Sequence, residues 1–86
     1  MDELTRNLRA LANKRRLMIL KYLKRTGEAS VSDIAAEIKL SFKATSRHLS
    51  VLTGAYILEK EQIGLTVIHK IAPQKHPIVL KTLSLL

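Results

Sequence analysis

Two short helical patterns lie next to each other in the middle of the chain, and this restricts the possible folds more than any other feature. In the first, Ile34 and Ile38 share one face of a segment barely two turns long. In the second, Thr45, Leu49 and Leu52 follow at i, i+4 and i+7. The spacing therefore predicts two short helices that meet across a tight turn.

Serine residues mark where these two helices begin. Ser32 is a favourable N-cap for the first, and Asp33 follows it at the end of the helix dipole that prefers negative charge. Ser41 is the corresponding cap of the second, which we expect over residues 42–53.

The rest of the chain predicts three more helices and one hairpin. Gly64 is expected in the hairpin turn, and Pro77 suits the first turn of the last helix. The predicted elements are helices at residues 1–13, 14–26, 32–38, 42–53 and 76–86 and strands at 57–62 and 66–71. This mainly α order with a small β-hairpin (α-α-α-α-β-β-α) is the winged helix-turn-helix arrangement. Eighty-six residues, 47% of them apolar, allow one domain with one core, residues 1–86.

A formal net charge of +8 makes a polyanion the first partner to consider, because Lys and Arg gain affinity by releasing counterions from phosphates. The chain has no cysteine, so it has no thiolate metal site and no cysteine nucleophile, which fits a reducing cytoplasm. No apolar run approaches the length needed to span a bilayer, so we expect no membrane contact. Eight basic residues are interleaved with apolar ones in the first third: Arg6, Arg9, Lys14, Arg15, Arg16, Lys21, Lys24 and Arg25.

In a helix-turn-helix the second helix enters the major groove, so residues 42–53 are the candidate recognition helix. Projection at about 100° per residue puts one polar face opposite the apolar stripe. On that face Arg47 can donate two bonds to guanine, and Lys43 can contact a phosphate. The candidate DNA-binding residues are Ser41, Phe42, Lys43, Ser46, Arg47, His48, Ser50, Lys60 and Lys70.

Three stretches of the chain resemble the ArsR/SmtB family of prokaryotic repressors. They are residues 8–23 (LRALANKRRLMILKYL), residues 31–52 (VSDIAAEIKLSFKATSRHLSVL) and the hairpin that follows. The most specific part is residues 46–52 (SRHLSVL), which is similar to the family's SRHLxxL recognition-helix signature. The resemblance extends over about residues 4–72.

The resemblance implies a homodimeric repressor built from the first and last helices, residues 1–13 and 76–86. Two recognition helices are then spaced for successive major grooves of a palindromic operator in double-stranded DNA. The last helix has almost no polar face, which suits a dimer surface, although it could simply cover the core of its own monomer.

The chain departs from the family at the metal site. Many members sense metals through a Cys-x-Cys pair, and the aligned positions here are Ser30 and Ser32, whose hydroxyls are poor ligands for such metals. The three histidines, His48, His69 and His76, have no second ligand at helical spacing. We therefore expect no metal and no cofactor. His48 lies at the border of the core face, where it packs or touches a phosphate.

Other departures concern the recognition helix, the turn after it and the hairpin. Phe42 and Lys43 stand where the family often has polar residues and proline, and Phe42 either contacts a thymine methyl or only packs. Tyr56 stands where glycine is common, so the turn is expected to use Gly54 instead.

The hairpin is expected to contact DNA weakly. It has no Lys or Arg at its tip and carries only Lys60 and Lys70 along its strands. Glu59 and Glu61 stand beside them and repel phosphate.

An enzyme is not expected, because the chain has no glycine-rich phosphate loop and its acidic residues are scattered. Two alternatives to sequence-specific DNA binding remain open. One alternative is a winged-helix module that contacts protein or RNA. The other is a nonspecific architectural DNA-binding protein that uses basic residues of the first two helices, namely Arg6, Arg9, Lys14, Arg15 and Arg16.

Overall fold

The computed structural model describes residues 2–86 and contains five helices and a three-stranded antiparallel sheet. The elements are α1 (Glu3–Leu11), α2 (Lys14–Thr26), β1 (Glu28–Ser30), α3 (Val31–Ile38), α4 (Phe42–Gly54), β2 (Leu58–Ile63), β3 (Thr66–Ile71) and α5 (Pro77–Ser84). The strand order is β1-β3-β2. The predicted order of five helices and a hairpin is confirmed, and the hairpin β2–β3 is the wing.

Strand β1 was not predicted from the sequence. It has three residues, and Ala29 at its centre pairs with His69 of β3. A run this short carries no periodic pattern, and its partner lies far along the chain. The pairing ties the wing to the residues immediately before α3.

The N-cap of α3 is Ser30, so the prediction of Ser32 was wrong. The Ser30 hydroxyl accepts a hydrogen bond from the Asp33 amide at 3.1 Å. Ser30 ends a strand, so its backbone is already extended as an N-cap requires, whereas Ser32 lies in the first turn of the helix. The cap of α4 is Ser41, as predicted, and its hydroxyl accepts from the Ala44 amide at 3.1 Å.

Tyr56 itself takes the left-handed conformation after α4, with φ of 61°, so the expected use of Gly54 was wrong. Gly54 is the last residue of α4. The strain of about 1–2 kcal/mol at Tyr56 is partly offset by Arg6, whose guanidinium carbon lies 5.0 Å from the centre of the Tyr56 ring. Gly64 has φ of 64° in the wing turn, as predicted.

The core contains residues from all five helices and from the sheet. Helix α4 contributes Thr45, Leu49 and Leu52, each at most 1% exposed. The other fully buried large apolar residues are Ile19, Leu20, Leu23, Ile34, Ile38, Ile57, Leu58 and Val79. Because the core holds the Thr45 stripe, the opposite face of α4 points to solvent.

Three basic side chains of α2 bind the carboxyl ends of three other helices. Arg16 Nε donates to the Ala10 carbonyl of α1 at 2.7 Å, and Arg15 donates to the carbonyl of Ile38, the last residue of α3. Lys24 Nζ donates to the Leu83 carbonyl of α5 at 2.8 Å. Carbonyls at a helix end lack partners and carry partial negative charge, so these cations stabilise the bundle.

Candidate nucleic-acid interface

The outer face of α4 brings together most of the predicted DNA-binding residues. Phe42, Lys43, Arg47 and Ser50 are exposed, and Ser46 is half-buried between them. All five line one shallow surface, and Val51 completes it. Sequence reasoning omitted Val51, although it lies four residues after Arg47 and therefore close to the same face.

Helix α4 has no acidic residue, whereas α1 and α3 carry Glu3 and Asp33 in their first turns. The amide groups at its start give that end a partial positive charge, to which Lys43 adds a full charge. Ser41 is exposed at the same end. This combination attracts anions such as phosphate.

His48 lies on the side of α4 that faces α2. Its Nδ1 atom is 3.5 Å from Arg16 Nη1, and the residue is half-buried. Burial lowers the pKa of His48 below 6.5, and the charges of Arg16 and Arg15 lower it further. His48 is therefore neutral at pH 7 and packs between the two helices.

The two lysines of the wing lie on opposite faces of the sheet. Lys60 pairs across the strands with the buried His69, on the face that covers the core. Lys70 pairs with Glu59 on the outer face, where their charged groups are 3.3 Å apart. Burial lowers the pKa of His69, and the charge of Lys60 lowers it further, so His69 is neutral at pH 7.

The outer face of the wing is acidic. Glu28 pairs with Lys70 from β1, Glu59 pairs with it from β2, and Glu61 lies two residues further along β2 on the same face. This face therefore carries three carboxylates and one ammonium group. This face repels phosphate.

Three of the basic residues invoked for architectural DNA binding are engaged within the protein. Arg15 and Arg16 bind helix ends, and Arg6 covers Tyr56 with its Nε buried. Arg9 and Lys14 are exposed. The sequence alone does not distinguish basic side chains that bind within the protein from exposed ones, because it does not show which backbone carbonyls lie close to each of them.

Within residues 2–86, no three His, Asp or Glu side chains are grouped closely enough to hold a metal ion. Over the same residues, no helix is both long and apolar enough to cross a membrane.

The model of the family described as "Bacterial regulatory protein, arsR family" matches residues 13–60, from the cap of α2 to the first half of β2. The chain belongs to the arsR family. The resemblance inferred from the sequence is confirmed, and the serines at positions 30 and 32 fit a member without the sensing cysteines. This arsR-family protein is a transcriptional regulator with a DNA-binding winged helix-turn-helix, and the family and fold are not those of enzymes.

Solved structures of similar proteins share the fold over nearly the whole chain. The homodimeric winged helix-turn-helix DNA-binding domain of Mb0332 from Mycobacterium bovis is 31% identical with a TM-score of 0.83, and the match covers 98% of this chain and 74% of that one. Reduced HlyU from Vibrio cholerae is 29% identical with a TM-score of 0.82, covering 96% and 83%. The repressor PagR of Bacillus anthracis is 25% identical with a TM-score of 0.80, covering 96% and 91%. A comparison with curated proteins found no match.

Proposed function

We propose that this arsR-family regulator is a cytoplasmic repressor that binds a palindromic operator in double-stranded DNA as a homodimer, without metal or cofactor. The observation that carries the proposal is the outer face of α4, which is exposed, free of carboxylates and held in place by the buried Thr45 stripe. A repressor function is supported by the similarity to PagR, which is a transcriptional repressor.

The residues of this face divide into base contacts and phosphate contacts. Arg47 lies in the middle of the face and contacts guanine through its planar fork, while Ser46 and Ser50 bond to neighbouring base edges. Ser41 and Lys43, at the amino end, contact phosphate and fix the position of the helix.

Three of the four remaining candidates, Lys60, Lys70 and His48, contribute less. Lys60 contacts the backbone from the wing, and Lys70 does so only when it separates from Glu59. His48 packs against Arg16 on the side of α4 that faces α2, away from the exposed face.

The proposed dimer surface is formed by residues 1–13 and 76–86, of which Met1 lies outside the described residues. Within the described residues, α1 and α5 pack side by side. On α1, Leu4 and Leu8 are nearly half exposed, and on α5 Leu80 is 54% exposed. Leu85, the residue that follows α5, is 74% exposed. Val79 of α5 is fully buried. Helix α5 therefore covers its own core with one side and leaves another apolar side for a second copy. The similarity to the homodimeric Mb0332 domain supports a homodimer.

The proposal is tested by selecting duplexes from a random library and titrating the selected duplex against scrambled DNA by fluorescence anisotropy. Arg47→Ala is expected to reduce the preference for one base pair over the others by about 1–3 kcal/mol, at one position in each half of the operator. The matched control is Lys21→Ala, which removes the same charge from an exposed site on α2 and is expected to leave the base preference intact. Equal affinity of the wild type for selected and scrambled duplexes contradicts the proposal and favours an architectural function.

A further inference from the structure

Phe42 is the only phenylalanine of the chain, and its side chain is 58% exposed. It is the first residue of α4, and it is not among the residues packed against the hydrophobic core. The sequence left open whether Phe42 packs or contacts DNA. Because the fold of one chain does not cover it, packing within the monomer does not explain an aromatic residue at this position.

The surroundings of Phe42 indicate what covers it. Lys43 and Arg47 share its surface, and helix α4 has no carboxylate, so the surface complements a polyanion. The dimer surface proposed above involves α1 and α5, and it does not include Phe42. Recognition helices contact base edges with their amino-terminal residues, and Phe42 is the first of these.

We infer that Phe42 contacts the 5-methyl group of a thymine in each half of the operator and thereby makes the protein specific for thymine at that position. The thymine methyl is the one apolar group that an unmodified base pair presents in the major groove, and phenylalanine is a side chain that contacts it. A phenyl ring cannot form the hydrogen bonds that identify the other bases there. This inference depends on the proposed DNA-binding function.

The test replaces each thymine of the selected duplex in turn by deoxyuridine, which removes only the methyl group. At one symmetric pair of positions, deoxyuridine is expected to weaken wild-type binding about fourfold per half-site, the equivalent of one methyl group no longer buried. Replacement in both half-sites then weakens binding about 15-fold. Phe42→Ala is expected to weaken binding to the thymine duplex by at least this factor and to bind both duplexes equally.

Two controls separate a methyl contact from general loss of binding. Val51→Ala removes the other exposed apolar side chain of the same surface, about 13 Å further along the helix axis, and should leave the preference for thymine over deoxyuridine intact. Thermal unfolding of Phe42→Ala should match the wild type, because the side chain is exposed.

The outcomes distinguish this inference from the proposed function. If Phe42→Ala keeps the full preference for thymine over deoxyuridine, or if no deoxyuridine position weakens wild-type binding, the methyl contact is overturned while operator recognition stands. If the wild type selects no preferred duplex, both the methyl contact and the proposed function are overturned.

Discussion

Replacing Arg16 by alanine should destabilise the protein while changing its contact with DNA very little. Arg16 donates to two carbonyls at the end of α1, at 2.7 Å to Ala10 and at 3.4 Å to Arg9, and its third contact is to His48. Only the first bond is short, and a hydrogen bond to a charged group contributes about 1.5–3 kcal/mol. Since Arg16 is half-buried, we expect Arg16→Ala to lower the free energy of unfolding by about 2 kcal/mol.

A loss of this size is large for so small a protein. Domains of this length are stable by about 4–13 kcal/mol, and each kcal/mol lost lowers Tm by about 4–8 °C. Tm should therefore fall by about 8–16 °C in a thermal scan followed by circular dichroism at 222 nm. All variants must be compared at one protein concentration, because the proposed dimerisation would contribute to the apparent stability.

Arg9→Ala is the matched control, because Arg9 is an exposed arginine on the neighbouring helix. It should change the stability by no more than about 0.5 kcal/mol. Arg16→Lys keeps the charge but lacks the planar fork, so its Tm should lie between those of the alanine variant and the wild type. The reasoning is refuted if Arg16→Ala is as stable as Arg9→Ala and instead reduces the salt dependence of DNA binding, since Arg16 would then be a phosphate contact.

Three further predictions concern Tyr56, the histidines at positions 48 and 69, and the dimer surface. In an Arg6→Met background, Tyr56→Gly should stabilise the protein by about 1 kcal/mol, because it relieves the backbone strain. In the wild type the gain should be about 0.5–1 kcal/mol smaller, because the cation–π contact is also lost. Equal effects in both backgrounds, measured by urea unfolding, would show that Arg6 and Tyr56 are not coupled. The pKa values of His48 and His69 are both lowered from 6.5 in the folded protein, so the unfolded chain binds more protons as the pH falls, and the midpoint of urea unfolding should fall between pH 7.5 and 5.5. In a His48→Gln, His69→Gln double variant the urea midpoint should depend less on pH. If its dependence on pH equals that of the wild type, the two histidines are not its cause. Leu8→Glu should give a monomer by sedimentation equilibrium at concentrations where the wild type and the Leu65→Glu control, at an exposed site in the wing turn, are dimers. A dimeric Leu8→Glu protein argues against the α1–α5 surface.

The recognition helix could be predicted from the sequence because its signals are local. The Ser41 cap and the spacing of Thr45, Leu49 and Leu52 define its start and its buried face within a dozen residues. The side chains opposite this stripe point away from the core, and most of them are exposed. The surface that contains Arg47 follows from these facts alone.

The missed features depend on contacts between distant parts of the chain. Ser30 and Ser32 are equally good caps by composition, and the choice between them is made by the pairing of Ser30 with Ile68 in the sheet. Tyr56 is strained in isolation, and Arg6 from another helix compensates part of that strain. Neither contact has a periodic signature in the sequence.

The charges of the wing have a second consequence, for aggregation. Strand β2 is at the edge of the sheet, so one side of its backbone has donors and acceptors that no neighbouring strand pairs. Such an edge is a template on which another chain can form a strand, and charged side chains prevent this. A second copy aligned along β2 would bring Glu59 and Glu61 next to like charges. Replacing both carboxylates by neutral residues to improve DNA binding would therefore expose an aggregation-prone edge.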